Sequence, residues 1–351
     1  MADTMTAVVK TEPVPAATEV KRIARPTIRP DEALVRVAIA SICGTDLHIY
    51  DWDAWSQGRI RPPLVQGHEM AGVVERIGED VTTVVPGDAV SFEGHIACGR
   101  CYECRTGQAH VCRNVRIMGI DRDGAFAEYV AVPGSNLMKN DPSLPLEVAT
   151  IQDPLGNAVQ TVMNANVPGK AIAIFGLGPI GLMAVGIAKA LSAAKIIGVE
   201  KGNEYRKGLA KTLGAHEVLE SDGGTLDRIL DFTDGEGVHE ALEFSGAAAA
   251  LAQATKAVRP GGGVHLLGLF NGPVSVDLTN DVIMRGVTLH GITGRRMFRT
   301  WYEMAGILKS GNVDLRPLVT HRFPLSDYER AMDVVRSRQC GKVVLQVGGT
   351  A

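Results

Sequence analysis

Lys170–Ala190 reads KAIAIFGLGPIGLMAVGIAKA, and its interpretation decides the fold. From Ala171 to Ala188 it runs eighteen residues without a charge, the length at which a membrane span has to be considered. Four glycines and Pro179 interrupt it, however. The first part, AIAIF, has the length and apolarity of a strand buried on both faces of a parallel sheet. Gly176, Gly178 and Gly181 then form G-x-G-x-x-G at the junction of that strand with an apolar helix. The first glycine permits a tight turn, the second lets the backbone approach a pyrophosphate, and the third lets helix and strand pack closely. Free N–H groups and the positive dipole end at the helix start suit the phosphates.

Working outward, KIIGVEK and EYRKGLAKTLGA repeat the strand-then-helix rhythm, and GGVHLLGL follows later. Such alternation predicts crossover units and a parallel sheet flanked by helices. Glu200 ends KIIGVE about twenty residues after the glycine turn, where a carboxylate binds ribose hydroxyls and repels a 2′-phosphate. That favours NAD over NADP, with Lys201 and Arg206 close by as opposing charges. Upstream, EALVRVAIAS, MAGVVERIG, DAVSFEG and GAFAEYVAVP are short apolar runs separated by turn residues, so this part is strand and loop. Downstream, WYEMAGILKS and DYERAMDVVRS read as amphipathic helices; Ser326 and Glu329 have capping-box spacing at the start of the second. The last apolar run, KVVLQV, is expected to return as a strand to the first domain. The plan is α/β: a β-rich domain, residues 1–155 and 295–351, with a doubly wound Rossmann domain inserted at residues 156–294.

The 351 residues exceed one ordinary domain, in keeping with that plan. A net charge of -3 from 36 basic and 39 acidic side chains, with no basic block, excludes a nucleic-acid or anionic-membrane surface as partner. A small soluble molecule is the expected partner. The N-terminus, MADTMTAVVKTEPV, lacks the charged and apolar regions of a secretory signal, so a cytoplasmic location is expected.

Four of the six cysteines fall within CGRCYECRTGQAHVC. Cys98, Cys101, Cys104 and Cys112 have the spacing C-x2-C-x2-C-x7-C, which suits tetrahedral zinc. The iron–sulfur run uses x3 and a following proline, and neither is present. Disulfides belong to small secreted domains. A four-cysteine site is closed: it leaves no position for water or substrate, so it braces a loop and the chemistry must lie elsewhere. Cys43, in SICGTDLH, and His68 with Glu69, in QGHEM, are candidate ligands of a second zinc. Spacing alone supports them weakly, since lone cysteines and histidines are usually structural. Their distinction is the reactive neighbourhood, with Thr45, Asp46 and His48 close behind Cys43. Trp52, Trp55 and Trp301 suit a pocket wall or a core equally well.

GHEMAGVVERIG, the cysteine segment, GAFAEYV and GLGPIG together resemble the zinc-dependent medium-chain alcohol dehydrogenases over essentially the whole length. CGTDLHIYDWDAWSQ, ACGRCYECRTGQAHVCRN, DPLGNAVQT, NEYR, GRRMFRTWYEM and THRFPLSDYERAMD are similar to the branch that oxidises the 3-hydroxyl of L-threonine to 2-amino-3-oxobutanoate. Sorbitol and other polyol dehydrogenases are its nearest relatives in chemistry. The resemblance implies a GroES-like fold for the β-rich domain, NAD as cofactor, and two zinc ions per chain. It makes Cys43, His68 and Glu69 the catalytic zinc ligands and Cys98, Cys101, Cys104 and Cys112 the structural ones. It places Asp153 beside the catalytic zinc, where the wider family often has Glu, and makes Thr45 and His48 a proton relay. It puts Gly176, Gly178, Ile180, Gly181, Glu200, Arg206, Leu267, Gly268, Leu269, Ile292 and Thr293 at cofactor-contacting positions. It also implies a homotetramer.

Overall fold

The computed structural model describes residues 3–348. The chain forms two compact units, one from Met1–Pro154 with Val319–Ala351 and the other from Leu155–Leu318.

The second unit is built on six parallel strands: β1 (Ala171–Phe175), β2 (Lys195–Glu200), β3 (Glu217–Glu220), β4 (Val238–Glu243), β5 (Val258–Leu266) and β6 (Thr288–Gly291). Their order is β3-β2-β1-β4-β5-β6, so the direction of winding reverses between β1 and β4. AIAIF is buried along its whole length, and the uncharged stretch resolves into this strand, the glycine turn and the helix Pro179–Ala190. Pro179 stands in the first turn, where its missing N–H costs no hydrogen bond. The next helix, Glu204–Leu213, starts where Asn203 accepts the Arg206 N–H and stops at Gly214, which has a left-handed backbone. Phe175, Ile197, Val199, Leu251 and Val264 meet in a core to which the helices Thr225–Phe232 and Ala248–Ala257 contribute Ile229, Leu251 and Ala254. No helix among the described residues is long and apolar enough to cross a membrane.

The first unit centres on a seven-stranded mixed sheet. The long strand Glu32–Ile42 lies in its middle, antiparallel to Met70–Ile77 on one side and to Lys342–Gln346 on the other. KVVLQV thus does return to this sheet, and Val319–Pro324 extends it in parallel. Val35, Val37, Met70, Phe126, Tyr328 and Val343 share the core.

Two details differ from the sequence expectation. The chain re-enters the first unit at Val319, not at residue 295. The helix Arg299–Lys309 buries Trp301 and Met304 and belongs to the second unit. In the helix Tyr328–Ser337 no side chain caps the start, and Asp327 stands at the cap position. The Glu329 carboxylate instead accepts the Tyr50 hydroxyl at 2.6 Å, which draws it away from the box geometry.

Ile197 is fully buried in β2. Replacing it with Ala is expected to cost ~2–5 kcal/mol of stability, as for other large-to-small core changes. Denaturant unfolding of the isolated variant checks this, and an unchanged midpoint would contradict the assigned core.

Candidate active site

The register of three neighbouring strands builds one polar pocket. Glu32–Ile42 ends immediately before Cys43, Met70–Ile77 begins immediately after Glu69, and Lys342–Gln346 begins at Lys342. Because both flanking strands run antiparallel to the central one, with Ala40 opposite Met70 and Ile42 opposite Val343, these ends fall at the same edge. Cys43, His68 and Glu69 thereby bring one ligand atom each within 4.8 Å of one another.

The surroundings prepare this trio for a cation. Cys43 N–H donates to Asp46 Oδ2 at 2.9 Å, while Asp46 Oδ1 lies 3.8 Å from His68 Nδ1. Asp46 Oδ1, His68 Nδ1 and Glu69 Oε1 are all buried and have no hydrogen-bond partner. Glu69 Oε2 is held by Lys342 Nζ at 2.5 Å and by the Ser41 hydroxyl. Lys342 Nζ also donates to the Ile42 carbonyl at 2.7 Å. Burial by itself lowers the His68 imidazole, yet Asp46, Cys43 and Glu69 outweigh it and raise it to about 10. Burial also pushes the Asp46 carboxyl up against the pull of His68. Lys342 is lowered by burial but raised overall, chiefly by Glu69 and then Cys43. A pocket that stabilises positive charge this strongly, and leaves one oxygen each of Asp46 and Glu69 unmet, fits a thiolate–imidazole–carboxylate metal site.

The other predicted site residues divide. Thr45 and His48 lie on the helix Gly44–Asp51 that opens just after Cys43. Thr45 Oγ1 is 3.9 Å from Cys43 Sγ. His48 is exposed, with Nδ1 2.7 Å from Asp53 Oδ2 and its ring edge-on to Trp55. Asp153 sits in the first turn of the helix Gln152–Ala165. Its ligand atom falls not in the Cys43 trio but in a second trio, with Glu93 and His95. There Gly94 N–H donates to Asp153 Oδ1 at 3.3 Å, and Glu93 Oε1 orients His95 through Nδ1 at 2.9 Å. Of the tryptophans, Trp301 and Trp52 are buried, and Trp55 is exposed.

The cysteine lobe is a separate site. All four sulfurs lie within 4.8 Å of one another, with Cys101 Sγ 3.4 Å from that of Cys104 and 3.7 Å from that of Cys112. A tetrahedral ion with Zn–S of about 2.3 Å sets its sulfurs about 3.8 Å apart. No disulfide forms among them. Cys98 N–H and Asn114 N–H both point at Cys112 Sγ, and the N–H groups of Arg100 and Cys101 pull the Cys98 thiol down to about 6. Arg113 clasps Glu103 with two hydrogen bonds across the lobe. The donor set fits a closed S4 zinc.

The nucleotide residues collect at the carboxyl ends of the parallel strands, where open α/β sheets bind ligands. A Cβ on Gly181 would stand 2.0 Å from the Gly176 carbonyl oxygen, so glycine is required there. At Gly178 the space is open, with only Arg206 Nη1 at 4.0 Å, which leaves room for a phosphate. Ile180 is in the first turn of the helix that follows. Glu200 Oε2 accepts the Leu177 N–H at 2.5 Å, tying the carboxylate to the turn. Leu267, Gly268 and Leu269 follow β5, and Ile292 and Thr293 follow β6. The cradle fits a dinucleotide.

Sequence reasoning missed Lys342, Glu93 and His95 as members of these clusters. Glu93 and His95 carried a signal, the E-G-H spacing just ahead of the cysteines. Lys342 carried none, being 273 residues from the glutamate it pairs with.

Residues 29–142 match the family model described as an alcohol dehydrogenase GroES-like domain, and residues 179–310 match that described as a zinc-binding dehydrogenase. The L-threonine 3-dehydrogenase of Caldanaerobacter subterraneus is 49% identical, over 97% of this chain and 98% of its own. That of Pyrococcus abyssi is 46% identical, over 99% of this chain and 100% of its own. Among solved structures, the alcohol dehydrogenase TADH of Thermus sp. ATN1 is similar with a TM-score of 0.88 and 33% identity, over 98% of this chain and 100% of that one.

Lys342→Met should strand the buried Glu69 charge. Removing one partner of a buried ion pair typically costs ~3–5 kcal/mol. Denaturant unfolding of the metal-free protein measures it, and a loss below about 1 kcal/mol would contradict the role of the pair.

Proposed function

The chain belongs to the zinc-binding, GroES-like alcohol dehydrogenases, and from that premise we propose that it oxidises the 3-hydroxyl of L-threonine to 2-amino-3-oxobutanoate with NAD. The carrying observation is that Cys43, His68 and Glu69 converge in a chain whose curated relatives at 46–49% identity are L-threonine 3-dehydrogenases. In this reading each chain holds two zinc ions. Cys43, His68 and Glu69 hold one, and the four cysteines of the lobe hold the other.

Zinc in the first site supplies Lewis acidity that lowers the pKa of a hydroxyl, as it does for water. The chain's own residues do the rest. Asp46 and Lys342 fix His68 and Glu69 from behind. Thr45 takes the hydroxyl proton and passes it to His48, whose contact with Asp53 holds the ring at the solvent edge. Bound NAD would supply the acceptor for the hydride that leaves C3 with both electrons of the C3–H bond as C3 becomes a carbonyl carbon. Gly176, Gly178 and Gly181 seat the pyrophosphate, and Glu200 meets the adenosine ribose and disfavours NADP. Asp153, with Glu93 and His95, stands at the shared wall: Gly94 lies between Asp153 and the His68 carbonyl. The family resemblance supports a cytoplasmic homotetramer.

Metal analysis is expected to find two zinc ions per chain. Cys43→Ser should remove one and lower kcat by about a thousandfold, the scale of several kcal/mol of lost Lewis-acid stabilisation. Cys104→Ser should remove the other and act mainly on thermal stability. One zinc in the unmodified protein would contradict the scheme.

NADH formation followed by absorbance should be faster with L-threonine than with sorbitol, butane-2,3-diol or simple alcohols at equal concentration. A preference for a polyol would overturn the substrate assignment.

A further inference from the structure

Glu243 closes β4 and is fully buried. Its Oε1 accepts the Ser245 N–H at 2.8 Å, the Gly246 N–H at 3.0 Å and the Ser245 hydroxyl. Its Oε2 takes the Gly246 N–H at 3.1 Å. The Ser245 oxygen in turn accepts the Ala247 N–H at 3.1 Å, so its single proton points to Glu243. Every polar partner therefore donates, and a carboxyl proton would find no acceptor. The ionised form is the one these partners fit, although burial, the largest influence, raises the group above its usual range. Among the described residues no cation pairs with it, and a buried charge without a counter-ion is costly.

Its position suggests where the counter-charge comes from. β4 lies beside β1 at the reversal of strand order. A Cβ on Gly176 would meet Ser245 at 2.8 Å, and one on Gly268 would meet Glu243 Oε2 at 2.5 Å. The turns after β1, β4 and β5 thus pack around this carboxylate. A dinucleotide lying across such a switch point puts its pyrophosphate on the turn after β1 and its second nucleotide over the half formed by β4 to β6. In the oxidised dinucleotide that second nucleotide carries a cationic nicotinamide ring, and hydride transfer makes the ring neutral.

We propose that the Glu243 carboxylate is a fixed negative charge that biases this site toward the oxidised dinucleotide; the proposal rests on the NAD reading above. It attracts the ring before hydride transfer and loses that attraction afterwards, which favours release of the reduced product. Glu243 acts through its field, without taking part in a bond change.

The test uses the full-length, zinc-loaded protein. NADH binding is measured by fluorescence titration, and NAD binding by displacement of NADH. Glu243→Gln keeps the size and one acceptor oxygen and removes the charge. The ratio of the NAD to the NADH dissociation constant is expected to rise about tenfold, the scale of one charge acting over several ångströms in protein. A ratio that stays unchanged while NADH still binds overturns the proposal. Ser245→Ala keeps the charge and removes a donor, so its ratio should stay near that of the unmodified protein. A shift there as large as that of Glu243→Gln would assign the effect to turn geometry and overturn the proposal. If Glu243→Gln does not fold, Glu243→Asp, which draws the charge back by one methylene, should shift the ratio in the same direction by less; no shift overturns it. Unmodified protein that binds neither dinucleotide would instead strike the NAD reading itself.

Discussion

The buried ion pair between Glu69 and Lys342 is the constraint from which the first unit's chemistry follows. Both side chains are almost wholly out of water, where a charge must be matched or it destabilises the fold. Asp46 and Glu69 are two carboxylates in one closed space, and Lys342 answers only one of them. The remainder falls on His68, whose imidazole is held up by its anionic neighbours, and on whatever cation fills the gap left by Glu69 Oε1. The sheet makes this arrangement possible. Three antiparallel neighbours end at one edge, so residues far apart in the chain share one pocket at no cost in loop length.

The two sulfur-containing sites divide the work by coordination number. The cysteine lobe offers four sulfurs and closes on itself, so an ion there can only hold the lobe together. The Cys43 trio offers three ligands, which under the proposed reading would leave a fourth tetrahedral position for a substrate oxygen. In the proposed reading the denser signature is thus the inert one. Two tryptophans that follow His48 closely in the chain illustrate how little composition says about such a pocket: Trp52 is packed under Lys10, whereas Trp55 is exposed beside the His48 ring.

Much of this was legible in the sequence because it is local. AIAIFGLG announces its strand and turn through residues that are neighbours in the chain, and the cysteine spacing carries its own geometry. KVVLQV could be recognised as a returning strand by its apolar pattern, but nothing in it marked Lys342 as the partner of Glu69, because that pairing is set by register between distant strands. The Ser326–Glu329 spacing failed for a related reason: a tertiary partner, Tyr50, takes the glutamate. Asp153 is read from family likeness as a neighbour of the catalytic zinc, and its carboxylate groups with Glu93 and His95. The helix Arg299–Lys309 shows the limit of reading boundaries from rhythm, since only its buried face reveals which unit it completes.

The central claim is that substrate meets metal at Cys43, His68 and Glu69 and not at the cysteine lobe. Cobalt placed in the first site, with zinc retained in the second, gives visible absorption bands that respond directly to a change of ligand. The account predicts that L-threonine, added without cofactor, shifts those bands, and that cobalt placed in the lobe instead shows no change. Bands that stay fixed at the first site in protein that still turns over L-threonine would contradict it.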